Sequence, residues 1–228
     1  MSYQQLTKLV KRAAHTRTVY LFLYSAGVAV WLYFNNRTVL FVHADYFVLG
    51  LGSLVLLAIW EPRQDIPLPF MNRLTCRQFL LTVALALGLP ILVDFWDLIV
   101  LEQEVPFTST NAIICYCLAR YASVRILEES YKLGLTNAGA MLFYRVFRTK
   151  LSEKLNRIGL VIIGAIPVGF WASRHLYGFK ADAVIFVSGM IYFALILWKK
   201  NYLPIVTAHT LNDWAVLFLS LELRPICF

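Results

Sequence analysis

Seven long apolar runs, at about 18–35, 39–60, 79–101, 107–127, 158–176, 182–198 and 202–221, constrain this chain more than anything else in it. A membrane-spanning helix takes about 20 apolar residues, and backbone inside lipid has to satisfy its own N–H and C=O groups. The expected fold class is therefore all-α, a polytopic transmembrane helical bundle of about 7–8 membrane helices. Composition agrees: the chain is 60% hydrophobic and 15% charged, where a soluble domain is about half apolar and a quarter charged.

Two parts are expected. Residues 1–16 place Leu6, Leu9, Val10 and Ala13 at helical spacing among Lys8, Lys11 and Arg12, the pattern of an amphipathic helix lying in the membrane interface. Residues 17–228 form a single integral membrane domain. No cleavable signal is expected ahead of it, because the first apolar run follows a basic stretch without a small-residue cleavage site.

The net charge of +8 sits mostly between the apolar runs, as in cytoplasmic loops, and no basic recognition motif accompanies it, so nucleic acid is not an expected partner. Lys8, Lys11, Arg12 and Arg17 put the N-terminus in the cytoplasm; Arg63, Arg73 and Arg77 return the loop 61–78 there, and its three prolines mark it as interfacial. Glu102 and Glu104 face outward. One stretch resists this count: basic residues near Arg125 and again at 145–157 both belong inside, and 137–147 is too short to cross and return. A re-entrant or shallow helix there, or an incomplete fourth span, are the two solutions. Cys76, Cys115, Cys117 and Cys227 form no CxxC and read as apolar thiols, not a disulfide framework or zinc site.

Ionisable groups within apolar runs are expensive and usually face a bundle interior. His209 and Asp213 are four residues apart in "VTAHTLNDW", with Asn212 beside them; Trp171 and His175 are four apart in "GFWASRH"; Arg145 closes "AMLFYR". Each has a plain structural reading: a helix-linking His, an interfacial His175, a snorkelling Arg145, or an Asp213–Arg145 ion pair. His43 and Asp45 read as a loop edge, and Asp94 and Asp97 as interfacial or cavity-lining. Glu128 and Glu129 read as a solvated face that neutralises Arg125 and Lys132. His175, His209 and Asp213 also suit a metal, and two membrane histidines suit a haem. No HExxH is present and no spacing favours either, so no metal and no cofactor is assigned.

Taken in order, "AMLFYR", "WASRH" and "HTLND" resemble the three motifs of the CPBP family, the intramembrane glutamic endopeptidases that include the type II CAAX prenyl endopeptidase: EExxxR, FxxxH and HxxxN or HxxxD. The resemblance covers about residues 137–221, the expected protease-like core, with Trp171 in place of Phe and the Asp form of the third motif. It implies an intramembrane endopeptidase that hydrolyses a peptide bond near the end of a membrane-anchored protein or peptide precursor. His175 would activate a water with a glutamate, His209 and Asp213 would face the oxyanion, and Arg145 would hold the local geometry. Trp171 and Asn212 would contact substrate. An ionised Asp213 cannot donate to an oxyanion, so it would have to be protonated or orient His209.

The resemblance departs at its first motif, where Ala140 and Met141 stand in the glutamate positions. Ala140 would then mark an inactivated enzyme, engineered at that position, or a natural pseudoprotease that serves as a non-catalytic membrane scaffold. The expected partners are a lipid bilayer and a membrane-anchored substrate, and the expected location is a prokaryotic inner membrane.

Overall fold

The computed structural model describes residues 16–35, 37–42, 44–62, 68–91, 123–147, 152–173 and 179–222. They form eight helices: α1 (Arg17–Asn35), α2 (Arg37–Val42), α3 (Ala44–Trp60), α4 (Cys76–Ile91), α5 (Ser123–Phe147), α6 (Glu153–Ser173), α7 (Phe179–Lys199) and α8 (Leu203–Glu222). The all-α expectation holds. The amphipathic segment 1–15, His43, Asp94, Asp97, Cys115, Cys117, His175 and Cys227 lie outside the described residues.

Local chemistry sets several helix ends. Thr75 and Gln78 make a reciprocal capping box at α4: the Gln78 amide N–H donates to Thr75 Oγ1 at 3.2 Å and the Thr75 N–H to Gln78 Oε1 at 3.0 Å. Glu61, just beyond α3, caps α1, accepting from the N–H groups of Arg17 and Thr18 and from Thr18 Oγ1 at 2.6 Å. Asp45 lies in the first turn of α3.

Among the described residues, three helical stretches, Arg17–Asn35, Leu155–Ser173 and Phe179–Lys199, are long and apolar enough to cross a membrane; Ala44–Trp60 and Cys76–Pro90 are shorter apolar helices. Leu23, Val30, Phe34, Val48, Ile162 and Ile166 are exposed on these elements. A water-facing surface rarely carries so many large apolar groups, whereas lipid accepts them.

The apolar run 39–60 divides into α2 and α3. The larger difference lies at 123–147. The stretch 137–147, expected as a separate re-entrant or shallow helix or as the sequel to an incomplete fourth span, is the C-terminal part of α5, which runs unbroken for 25 residues. Its N-terminal half is buried nearly all round, from Ser123 to Asn137. A helix with that many polar residues is normally solvated. Here its charges are neutralised pairwise inside the bundle, so hydropathy misjudged them.

Glycine lets α3 and α5 meet closely. A Cβ on Gly50 would lie 2.9 Å from Leu127 Cα, and one on Gly134 would lie 2.8 Å from Ser53 Cβ. Both fall inside van der Waals contact, so a side chain at either position would force the helices apart.

The proline-rich loop is also more deeply held than an interfacial loop. Leu68 and Phe70 are buried. The Asn137 amide bonds both backbone groups of Leu68, at 3.2 and 3.3 Å. Met71 forms a β-bridge with Asn201 in the α7–α8 turn, with the Tyr202 N–H donating to Phe70 O at 3.0 Å. Lys200 takes φ 53°, the left-handed conformation that lets the chain reverse between those helices.

Candidate functional site

The sequence of α5 carries a symmetric charge pattern, Arg125-x-x-Glu128-Glu129-x-x-Lys132. Residues three apart on a helix are neighbours, so each glutamate has a basic residue on its own flank. The structure uses both pairs. Arg125 is ion-paired with Glu128 and also with Asp213 of α8, so one guanidinium ties the two helices. Lys132 Nζ lies 2.6 Å from Glu129 Oε1. All of this is inside: Glu128, Glu129 and Lys132 are 4%, 2% and 5% exposed.

Other helices close around the pair. From α6, Trp171 Nε1 donates to Glu128 Oε2 at 3.2 Å. From α8, His209 Nδ1 is 2.8 Å from Glu129 Oε1. Opposite a carboxylate, which only accepts, Nδ1 is the donor of this bond. The imidazole is boxed by Trp171, edge-on at 5.6 Å between ring centroids, and by Tyr192 of α7 at 5.3 Å. Lys132 Nζ sits 4.0 Å above the Trp171 ring, a cation–π contact in a desolvated place.

Asn212 Nδ2 donates to the Tyr192 hydroxyl at 3.1 Å, while its Oδ1 is buried with no partner among the described residues. Beside the ion pair, Glu129, Lys132, Leu133, Val168, Gly189, Phe193 and Ile196 line a partly open void with room for about one water molecule. Among the described residues no three His, Cys, Asp or Glu side chains are placed to hold a metal ion.

Four of the residues marked from sequence meet here: Trp171, His209, Asn212 and Asp213. His175 lies outside the described residues. Ala140 and Arg145 do not reach the cluster. Ala140 is buried on α5, eleven residues beyond Glu129, about 17 Å along a continuous helix. Arg145 is exposed in the last turn, sixteen residues beyond Glu129, about 24 Å away. Asp213 therefore pairs with Arg125 and not with Arg145. The helix is continuous through Gly134 and Gly139, so these separations stand.

Sequence reasoning took Glu128 and Glu129, with Arg125 and Lys132, for a solvated face, and passed over Tyr192; burial corrects the first reading. The signal was present: Glu128–Glu129 is the only adjacent pair of glutamates in the chain. Placing a glutamate at position 140 has a clear expected outcome. Ala140→Glu puts a carboxylate at a fully buried position, and should lower stability by about 3 kcal/mol or more. Thermal unfolding in detergent checks this, and an unchanged midpoint would show that position 140 is open to water.

No protein-family model, no curated protein and no solved structure matches the chain.

Proposed function

We propose that this chain is an intramembrane endopeptidase of the glutamic type, with Glu129 as the carboxylate that activates water. One observation carries the reading: a buried pair of adjacent glutamates on α5 meets Trp171 of α6 and His209 of α8, beside a water-sized void. The proposed setting is a bundle of about seven to eight membrane helices in a prokaryotic inner membrane, N-terminus in the cytoplasm, which the three long apolar helices support.

The resemblance to the CPBP family is better carried by this pair than by Ala140. The order is then Glu128–Glu129, Trp171 with His175, and His209 with Asp213. Ala140 needs neither an engineered nor a decayed site to account for it. A departure remains, since Leu133 stands at the arginine position of EExxxR and the nearest cation is Lys132.

The two glutamates have different work. Glu128 is held by Arg125 and Trp171 and serves as the fixed anchor between α5, α6 and α8. Glu129 receives Lys132 and His209 on the same oxygen, Oε1. Its Oε2 is the oxygen proposed to take a proton from a water in the void. Water-poor surroundings strengthen every charge interaction there. The substrate would be the end of a membrane-anchored protein or a peptide precursor.

The test is cleavage in proteoliposomes, with a panel of single-span and lipidated peptides read by intact mass. The protein should cut at a defined bond, and Glu129→Gln should slow that cut by about a thousandfold, the scale of a lost general base. Cutting by neither form would favour the non-catalytic scaffold, and equal cutting by both would remove Glu129 from the chemistry.

A further inference from the structure

We infer that Lys132 is a catalytic residue, the cation that stabilises the oxyanion formed at the cut carbonyl; this rests on the endopeptidase reading above. The groups that the CPBP resemblance implies for that task are engaged elsewhere. Asp213 is held by Arg125 as a carboxylate, which accepts and does not donate. The Asn212 Nδ2 group is turned to the Tyr192 hydroxyl. His209 has its Nδ1 committed to Glu129, with its ring held between Trp171 and Tyr192.

Lys132 is placed differently. An ammonium has three N–H donors, and one reaches Glu129 Oε1 at 2.6 Å. The side chain lines the same small void as Glu129, otherwise walled by Leu133, Val168, Gly189, Phe193 and Ile196. That wall is apolar, so a positive charge there is poorly screened and acts strongly on charge that develops beside it. The ammonium is also fixed in advance, by Glu129 on one side and the Trp171 face 4.0 Å away on the other. Base and cation thus flank one water-sized space.

The step balances. The water oxygen bonds to the carbonyl carbon while one water proton passes to Glu129 Oε2. The carbonyl π pair moves to its oxygen, and this oxyanion is met by Lys132. Collapse restores the carbonyl and breaks the C–N bond, and the proton on Glu129 leaves with the amine.

The experiment compares the protein with Lys132→Met on whichever panel peptide is cut. Lys132→Met should lower kcat by about 100–1,000-fold, the effect of removing one oxyanion donor, with KM nearly unchanged. A folded Lys132→Met protein that keeps kcat overturns the role of Lys132 and leaves the endopeptidase reading standing. If the unaltered protein cuts no peptide, both readings fall.

Lys132→Met strands Glu129, so unfolding is a real risk, and a second comparison covers it. A phosphonamidate analogue of the cut bond carries a tetrahedral anion. Glu129→Gln retains Lys132, whose lost partner the bound anion replaces, while Glu129→Gln with Lys132→Met removes both charges and strands neither. The analogue should bind the first variant about 10–100-fold more tightly, the range of one charge-assisted hydrogen bond. Equal binding overturns the proposal.

Discussion

Arg125→Met should lower stability by about 3–5 kcal/mol, whereas Arg145→Met should change it by no more than about 0.5 kcal/mol. Both arginines lie on α5, and sequence alone favours Arg145 as the one with a structural or catalytic task. The difference is where their charges end. Arg125 is paired with Glu128 on its own helix and Asp213 on α8, with side chains 13%, 5% and 15% exposed. Removing it strands two carboxylates at once in a place that solvates them poorly. Arg145 is exposed at the end of the helix, where loss of its charge is absorbed by the surroundings. Unfolding in detergent, followed by helix content, measures both. Similar losses for the two variants would mean that α5 is not the central helix.

The second large effect concerns Glu129 and Lys132. Glu129→Gln and Lys132→Met should each lower stability by about 3–5 kcal/mol, because each leaves its partner buried without an opposite charge. The double variant should return to within about 2 kcal/mol of the unaltered protein, since replacing a whole buried pair is often nearly neutral. His209 keeps its bond in the Glu129→Gln variant, because the amide oxygen of the introduced side chain still accepts its Nδ1 proton. A double variant as weak as the sum of the singles would show two independent sites, and the 2.6 Å contact would then contribute little to stability. Recovery of stability without recovery of cleavage is the combined signature: the pair is dispensable for folding and required for chemistry.

The site was partly legible. His209 and Asp213 are conspicuous because a period of four places them on one helix face in an apolar run, and Trp171 stands out by its place in "GFWASRH". Glu128 and Glu129 were obscured by their own partners. With Arg125 and Lys132 beside them, four charges in eight residues look like a solvated turn to any hydropathy scale. Such scales assign each charge a separate desolvation penalty, but an ion pair made within one helix enters the bundle as a nearly neutral unit.

The same reasoning separates what the sequence determined by itself from what the tertiary structure decided. Helical class, the apolar elements long enough for a membrane, and the capping pair Thr75–Gln78 follow from local periodicity and neighbouring side chains. These depend on residues within a turn or two of each other, so composition and spacing suffice. The burial of the N-terminal half of α5 nearly all round, the bridge from Arg125 to Asp213 across 88 positions, and the approach of His209 to Glu129 across 80 do not. Gly50 and Gly134 admit α3, Asn137 holds Leu68, and α6 and α8 supply Trp171 and His209. Only when those helices pack does water leave α5, and only then do its charges turn from a solvated face into a buried site.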